Sequence, residues 1–267
     1  MRRQTVLITG ASSGIGKELA KVFAQNRFNL VLVARSEAKL SAVKNKLEEK
    51  YGTCVTVIPQ DMTEENAADK IAQQLTKMNI QADVLVNDAG YGDHAGFLDS
   101  DWEKQKHMVE LNILAVMRMT YVFGNQMRER GQGRILNLSS VAAFFAGPYM
   151  SVYYASKAFV LSFSEAVNEE LKGTGVTVTA LCPGPTSTGF EAAADMKNSK
   201  MFTFVIPQTA KEVAKAGYKA CMTGKPILYH SAVTQLSNVG ARLAPRYLSR
   251  NITKLINGVP KQVNVCK

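Results

Sequence analysis

The stretch that decides the fold is Thr5-Val6-Leu7-Ile8-Thr9-Gly10-Ala11-Ser12-Ser13-Gly14-Ile15-Gly16. A short, wholly apolar run enters a glycine-rich turn. From Ile15 onward, Leu19, Val22 and Phe23 recur at helical spacing. A strand that turns directly into a helix through glycines lets the backbone approach a pyrophosphate closely. The free N–H groups and dipole of the helix N-terminus then favour the anion. Gly10, Ser12, Ser13, Gly14, Ile15 and Gly16 are therefore candidate nucleotide-binding positions. An ordinary strand–helix turn is the alternative, but it needs no second or third glycine.

The same alternation continues along the chain. Thr5–Thr9, Leu30–Ala34, Cys54–Ile58, Val84–Asn87, Arg134–Ser139, Val176–Cys182 and Pro226–Tyr229 read as strands, most of them continuously apolar. Such runs suit parallel strands covered on both faces. Between them lie helical stretches. Ser100-Asp101-Trp102-Glu103 reads as a capping box opening a long helix that ends near Gly131. Further helices are expected from Val152 to Leu171 and from Ala210 to Met222. The expected architecture is α/β: a doubly wound, seven-stranded parallel sheet with helices on both faces, in a single domain. Residues 1–190 would form the cofactor-binding and catalytic core, 190–208 a lid, and 233–267 a basic extension.

The 267 residues are 46% hydrophobic, enough to bury one large core. No apolar run reaches the length of a membrane span or a signal-peptide core, so the cytoplasm is the expected location. Cys54, Cys182, Cys221 and Cys266 are widely spaced, as are His94, His107 and His230, and neither set has metal-ligand spacing. The net charge of +10 is unevenly placed. None of the 22 acidic residues follows Glu212, whereas Lys215, Lys219, Lys225, Arg242, Arg246, Arg250, Lys254, Lys261 and Lys267 do. Arg246, Arg250 and Lys254 accompany Leu248, Ile252, Leu255 and Ile256 after Pro245. A solvated surface helix is the first reading of that segment, and contact with an anionic membrane or acidic partner the second. No basic–aromatic pattern of a nucleic-acid reader is present.

The second strand ends Val33-Ala34-Arg35-Ser36, with no carboxylate to bond a ribose hydroxyl and with a guanidinium in its place. An acid would repel a 2′-phosphate and Arg35 would bind it, which favours NADP(H) over NAD(H). Tyr153 and Lys157 stand four residues apart and share a helix face. An ammonium beside a phenol is expected to lower its pKa from about 10 and let it exchange a proton with a developing alkoxide. Ser140, at the end of the fifth strand, could bond a substrate oxygen beside that phenol. Ser139 reads as a capping residue. Asn112 is a poor helix former within a long helix, which points to a polar role such as holding water near Lys157.

Together these positions resemble the short-chain dehydrogenase/reductase family. The matching pieces are Thr9-Gly10 through Gly14-Ile15-Gly16, Asp61, Asn87-x-Ala89-Gly90, Asn112, Ser140, Tyr153-x-x-x-Lys157 and Pro183-Gly184, over roughly residues 5 to 190. The resemblance implies that Asp61, with Met62 beside it, contacts the adenine. It implies that Asn87 ties the fourth strand to its neighbours, and that Ala89 and Gly90 flank the cofactor. Pro183, Gly184, Thr186 and Thr188 would hold the nicotinamide carboxamide, and Lys157 the nicotinamide ribose. It further implies a homodimer or homotetramer. One departure is Asp88, where relatives commonly carry a second Asn; Ser13 stands where NADP-preferring relatives are often basic. Apolar side chains in three loops, among them Phe144, Tyr149, Phe190 and Phe202, suggest a hydrophobic carbonyl or alcohol substrate, such as a hydroxysteroid, a bile acid or a long-chain acyl compound. A non-catalytic NADP-binding regulator on the same scaffold is the competing reading; loss of Tyr153 or Lys157 would have favoured it.

Overall fold

The computed structural model describes residues 2–189 and 207–258. The elements run β1 (Thr5–Thr9), α1 (Gly14–Gln25), β2 (Asn29–Ala34), α2 (Glu37–Tyr51), β3 (Val55–Pro59), α3 (Ala67–Lys77) and β4 (Val84–Asn87). They continue with α4 (Trp102–Val109), α5 (Ala115–Glu129), β5 (Gly133–Leu138), α6 (Ser151–Glu170) and β6 (Val176–Cys182). A short pair, β7 (Thr186–Ser187) and β8 (Gln208–Thr209), precedes α7 (Ala210–Met222), β9 (Ile227–Tyr229), α8 (Ala232–Leu243) and α9 (Arg246–Asn257).

Seven strands form one parallel sheet in the order β3-β2-β1-β4-β5-β6-β9. The expected strands shift by no more than one residue at either end. Along β1, side chains alternate between two cores because successive residues of a strand point to opposite faces. Val6 and Ile8 join Leu19 and Phe23 of α1, Leu40 of α2 and Val213 of α7. Leu7 joins Ile71 of α3, Met119 and Phe123 of α5 and Ile135 of β5 on the other side. A sheet buried on both faces explains why its strands read as continuous apolar runs.

The long fourth helix departs from its expected form at both its start and its middle. Asp101, not Ser100, is the cap: its carboxylate accepts the Glu103 N–H at 2.9 Å. Ser100 instead donates to the carbonyl of Phe97 at 2.8 Å. Midway, residues Glu110–Leu114 form one π turn between α4 and α5. Such a turn accommodates one extra residue in the helical ladder and often marks a functional site. Asn112 lies in it with its side chain buried.

The order of the strands reverses between β1 and β4. Crossovers leading away on both sides open a crevice at the carboxyl ends of these two strands. The glycine turn after β1 and the Asn87–Gly90 segment after β4 therefore meet. Thr9 joins them: its hydroxyl accepts the N–H groups of Asp88 and Ala89, both at 3.2 Å.

Candidate active site and cofactor cleft

A cleft of about 1200 Å³ occupies that crevice. Gly10, Ser12, Ser13, Gly14 and Ile15 line one wall, with Arg35, Asp61 and Met62 along one end. Ala89, Gly90, Ser140, Tyr153, Lys157, Pro183, Gly184, Thr186 and Thr188 complete it. Most of the candidate positions scattered over the sequence thus face one space.

Glycine is required in the turn for steric reasons. Gly10 has φ +70, and a Cβ there would lie 2.8 Å from the Ala89 nitrogen. A Cβ on Gly16 would lie 2.7 Å from the Gly10 carbonyl and 2.5 Å from Asp88 Oδ2. The turn is therefore packed tightly against the end of β4, leaving the start of α1 open to the cleft. Ser13 caps α1 by position only, its hydroxyl making no cap hydrogen bond, and no acid lies in the first turn. A dinucleotide fits this wall: close backbone, a helix N-terminus without a competing carboxylate, and a serine hydroxyl.

Arg35 is exposed where β2 meets the cleft and, among the described residues, pairs with no carboxylate. Lys39, one turn into α2, lines the same end. Sequence reading overlooked Lys39; its signal was its place three residues after Ser36, which caps α2 by accepting the Lys39 N–H. The carboxylate of Asp61 is partly engaged by its own loop, accepting from the N–H and hydroxyl of Thr63 at 3.0 and 2.9 Å.

Not every candidate reaches the cleft. Asn87 is buried beneath it and donates to Asn137 of β5 at 2.8 Å and to Thr120 of α5 at 3.3 Å. Its side chain ties strands together and touches no cofactor space, and Gly16 likewise packs inside the turn. Phe144 turns away to pack edge-on against Tyr229, their ring centroids 5.7 Å apart. Tyr149 lies against His94, with Lys254 Nζ over its ring at 6.0 Å. Neither lines the cleft, although their neighbours Val141, Ala142 and Met150 do. Phe190, Phe202 and nearly all of the expected lid lie outside the described residues.

The catalytic candidates converge from two elements. Ser140 ends β5 and caps the 3-10 turn Val141–Phe144 by accepting the Ala142 N–H at 3.1 Å. It also hydrogen-bonds the Tyr153 phenol. The helix α6 brings Lys157 one turn along the same face, its Nζ 5.8 Å from the Tyr153 ring centroid. Lys157 donates to the carbonyl of Leu138 at 2.8 Å. Ser139 does not cap; its buried hydroxyl donates to the backbone carbonyl of Lys157 at 2.8 Å, fastening β5 to α6.

One expectation changes here. Burial pushes the Tyr153 phenol up to about 12 and Lys157 down to about 8. Desolvation disfavours both charged forms and is the largest effect on each, and for Tyr153 the Ser140 hydrogen bond pulls the other way. Tyr153 therefore stands as a protonated acid. The Asn112 side chain is engaged by the fold itself: Nδ2 donates to the Tyr91 carbonyl at 2.9 Å and to Ser156 Oγ at 3.0 Å. Its Oδ1 accepts the Tyr91 N–H at 3.1 Å. The π turn thus clamps the segment after Gly90 against α6.

Asp88 is the charged group closest to the turn. Its carboxylate accepts the Gly16 N–H, and burial pushes it up to about 7 against the pull of Lys157. The folded protein therefore holds this proton more tightly than the unfolded chain. That stabilisation is complete below about pH 4 and is lost as the pH rises through about 7. Asp88→Asn is expected to raise the melting midpoint of the protein by a few degrees at pH 8 and hardly at all at pH 4. A larger gain at pH 4 than at pH 8 would contradict this account.

The glycine turn, the Ser–Tyr–Lys cluster and the crevice they share now stand beside known proteins. Residues 4–199 match the family model described as short chain dehydrogenase. The chain belongs to the short-chain dehydrogenase family. It is 34% identical to 17-beta-hydroxysteroid dehydrogenase type 3 of Mus musculus over 223 residues, 82% of this chain and 71% of that protein. It is also 34% identical to very-long-chain 3-oxoacyl-CoA reductase of Bos taurus, over 86% of this chain and 73% of the relative. A short-chain dehydrogenase from Sphingobium yanoikuyae, solved in complex with NADPH, superposes with a TM-score of 0.80 at 31% identity. That superposition covers 90% of this chain and 93% of the relative. As a short-chain dehydrogenase, this protein is an oxidoreductase that uses a nicotinamide cofactor to interconvert a carbonyl and an alcohol. No helix among its described residues is long and apolar enough to cross a membrane.

Proposed function

We propose that this short-chain dehydrogenase is an NADP(H)-dependent reductase of an apolar ketone, of the size of a hydroxysteroid, bile acid or long-chain acyl compound. The observation that carries the catalytic assignment is the hydrogen bond between Ser140 and a protonated Tyr153 on the cleft wall. The cofactor, when bound, supplies the hydride for the carbonyl carbon. Tyr153 gives its phenol proton to the carbonyl oxygen, and Ser140 holds that oxygen beside the phenol. Lys157, one helical turn away, is the cation that stabilises the phenolate left behind. It also faces the floor at Gly90, where it can reach ribose hydroxyls. Asn112 acts as a positioning residue through the backbone of Tyr91.

The preference for NADP(H) rests on Arg35, with Lys39 beside it and no carboxylate ending β2. The NADPH complex of the Sphingobium yanoikuyae relative supports the same reading. The substrate class rests on the hydroxysteroid and 3-oxoacyl-CoA relatives and on the aromatic and methionine side chains of the lid segment, Phe190, Met196, Met201, Phe202 and Phe204. Exposed Leu114, Met117 and Tyr121 on the α4–α5 side favour a homodimer or homotetramer, the state that the family resemblance implies.

A panel of hydroxysteroids, bulky ketones and 3-oxoacyl thioesters, followed by absorbance of the reduced cofactor, tests the proposal. At least one apolar carbonyl compound is expected to turn over with NADPH far faster than with NADH. Turnover confined to small polar aldehydes would overturn the substrate class, and an equal rate with NADH would overturn the cofactor preference.

A further inference from the structure

The two C-terminal helices are amphipathic in an inverted sense. In α9, the fully buried residues are polar, Thr253 and Asn257, and Ser249 and Ile256 are half-buried beside them. Leu248, Ile252 and Leu255 recur at intervals of four and three on a face that water covers, Leu255 being 73% exposed. Helix α8 repeats the arrangement. Among its described side chains Thr234 is the buried one, while Leu236, Val239 and Leu243 form an outward ridge, with Leu236 72% and Leu243 80% exposed. A helix of a water-soluble surface ordinarily turns such a stripe inward. Two successive helices that both turn it outward form a patch that marks an interaction surface.

The charges around these ridges limit what can cover them. Arg242, Arg246 and Arg250 are exposed on the same two helices, the Lys254 ammonium instead lying over the Tyr149 ring, and no acid follows Glu212 in the sequence. A second copy of this chain seated face to face on these helices would bring the cations of both copies together, and neither copy's α8 or α9 supplies a carboxylate to pair them. Exposed aliphatic ridges together with exposed cations on the same helices are complementary to the headgroup layer of an anionic bilayer. We propose that the α8–α9 face rests on an anionic lipid surface.

The anchoring of α9 relates that face to the active site. The hydroxyl of Tyr154 donates to Asn257 Oδ1 at 2.9 Å, and Asn257 Nδ2 donates to the Pro148 carbonyl at 2.8 Å. His94 lies 3.3 Å from the Gly258 carbonyl. The end of the lipid-facing helix is thus fastened to Tyr154, the neighbour of Tyr153 and itself part of the cleft wall. A protein docked this way holds the cleft at the edge of the bilayer, where an apolar substrate is concentrated.

Cosedimentation of the full chain with vesicles tests the proposal. The vesicles are phosphatidylcholine alone, or phosphatidylcholine with phosphatidylglycerol. The protein is expected to sediment with the mixed vesicles at low salt and to be released at high salt. It should stay in solution with phosphatidylcholine alone. Each cation near an anionic leaflet contributes about fivefold to partitioning, so Arg246→Glu/Arg250→Glu is expected to weaken binding roughly twentyfold or more. Leu243→Ser/Leu255→Ser should weaken it independently. Thermal melts confirm that each variant is folded, without reference to catalysis. No sedimentation with anionic vesicles at low salt overturns the proposal, as does unaltered binding by both variants. A change of oligomeric state in the leucine variant, seen by sedimentation velocity with vesicle binding intact, reassigns the face to a second copy and also overturns it.

Discussion

Tyr153→Phe is expected to lower carbonyl reduction by about 10²- to 10⁴-fold, the usual contribution of a placed acid or base. NADPH binding should be retained. The substitution removes one oxygen from a partly buried ring and leaves the ring's contacts, including its edge-on packing against Tyr154 at 6.1 Å, in place. The groups beside it are committed elsewhere or less suited to its task. Ser140 is a far weaker acid, and Tyr154 spends its hydroxyl on Asn257. Lys157 donates to the Leu138 carbonyl. The check is single-turnover reduction of a good ketone substrate, with NADPH affinity followed by fluorescence of the nicotinamide. Activity within a few-fold of the parent protein would remove Tyr153 from the proposed mechanism. Equal loss of NADPH affinity would instead make it a structural residue.

Arg35→Ala is expected to raise the KM for NADPH by about 10- to 100-fold and to leave that for NADH nearly unchanged. A hydrogen bond to a charged group is worth about 1.5–3 kcal/mol, which is this range as a ratio of binding constants. The effect should be specific because only one of the two cofactors carries the 2′-phosphate. Lys39 lines the same end of the cleft and should retain part of the affinity, so the double substitution with Lys39→Ala is expected to exceed the single one. A parallel loss for NADH would assign Arg35 to general electrostatics or to folding, not to cofactor choice.

Both predictions depend on residues that sequence alone could nominate but not place. The parallel sheet was legible because burial on both faces leaves uninterrupted apolar runs, of which Val84–Asn87 and Val176–Cys182 are examples. The helix cap at Asp101 was not, because Ser100 and Asp101 are adjacent residues of equal capping ability and only the backbone chooses between them. The π turn at Asn112 was also invisible. One extra residue in a helical ladder leaves no mark in composition, and its reason lies 21 positions away at Tyr91.

By itself the sequence determined the order of strands and helices, the glycine turn, the Tyr153–Lys157 register and the acid-free C-terminal region. These are local properties: side-chain period, backbone freedom and charge count. Tertiary structure decided the protonation of Tyr153 and the place of Asp88 under the turn. It also placed Phe144 and Tyr149 off the cleft wall and turned the apolar ridges of α8 and α9 outward. Each of these depends on which surfaces exclude water from which groups. Desolvation is a property of neighbours far apart in the chain, and a linear sequence does not record it.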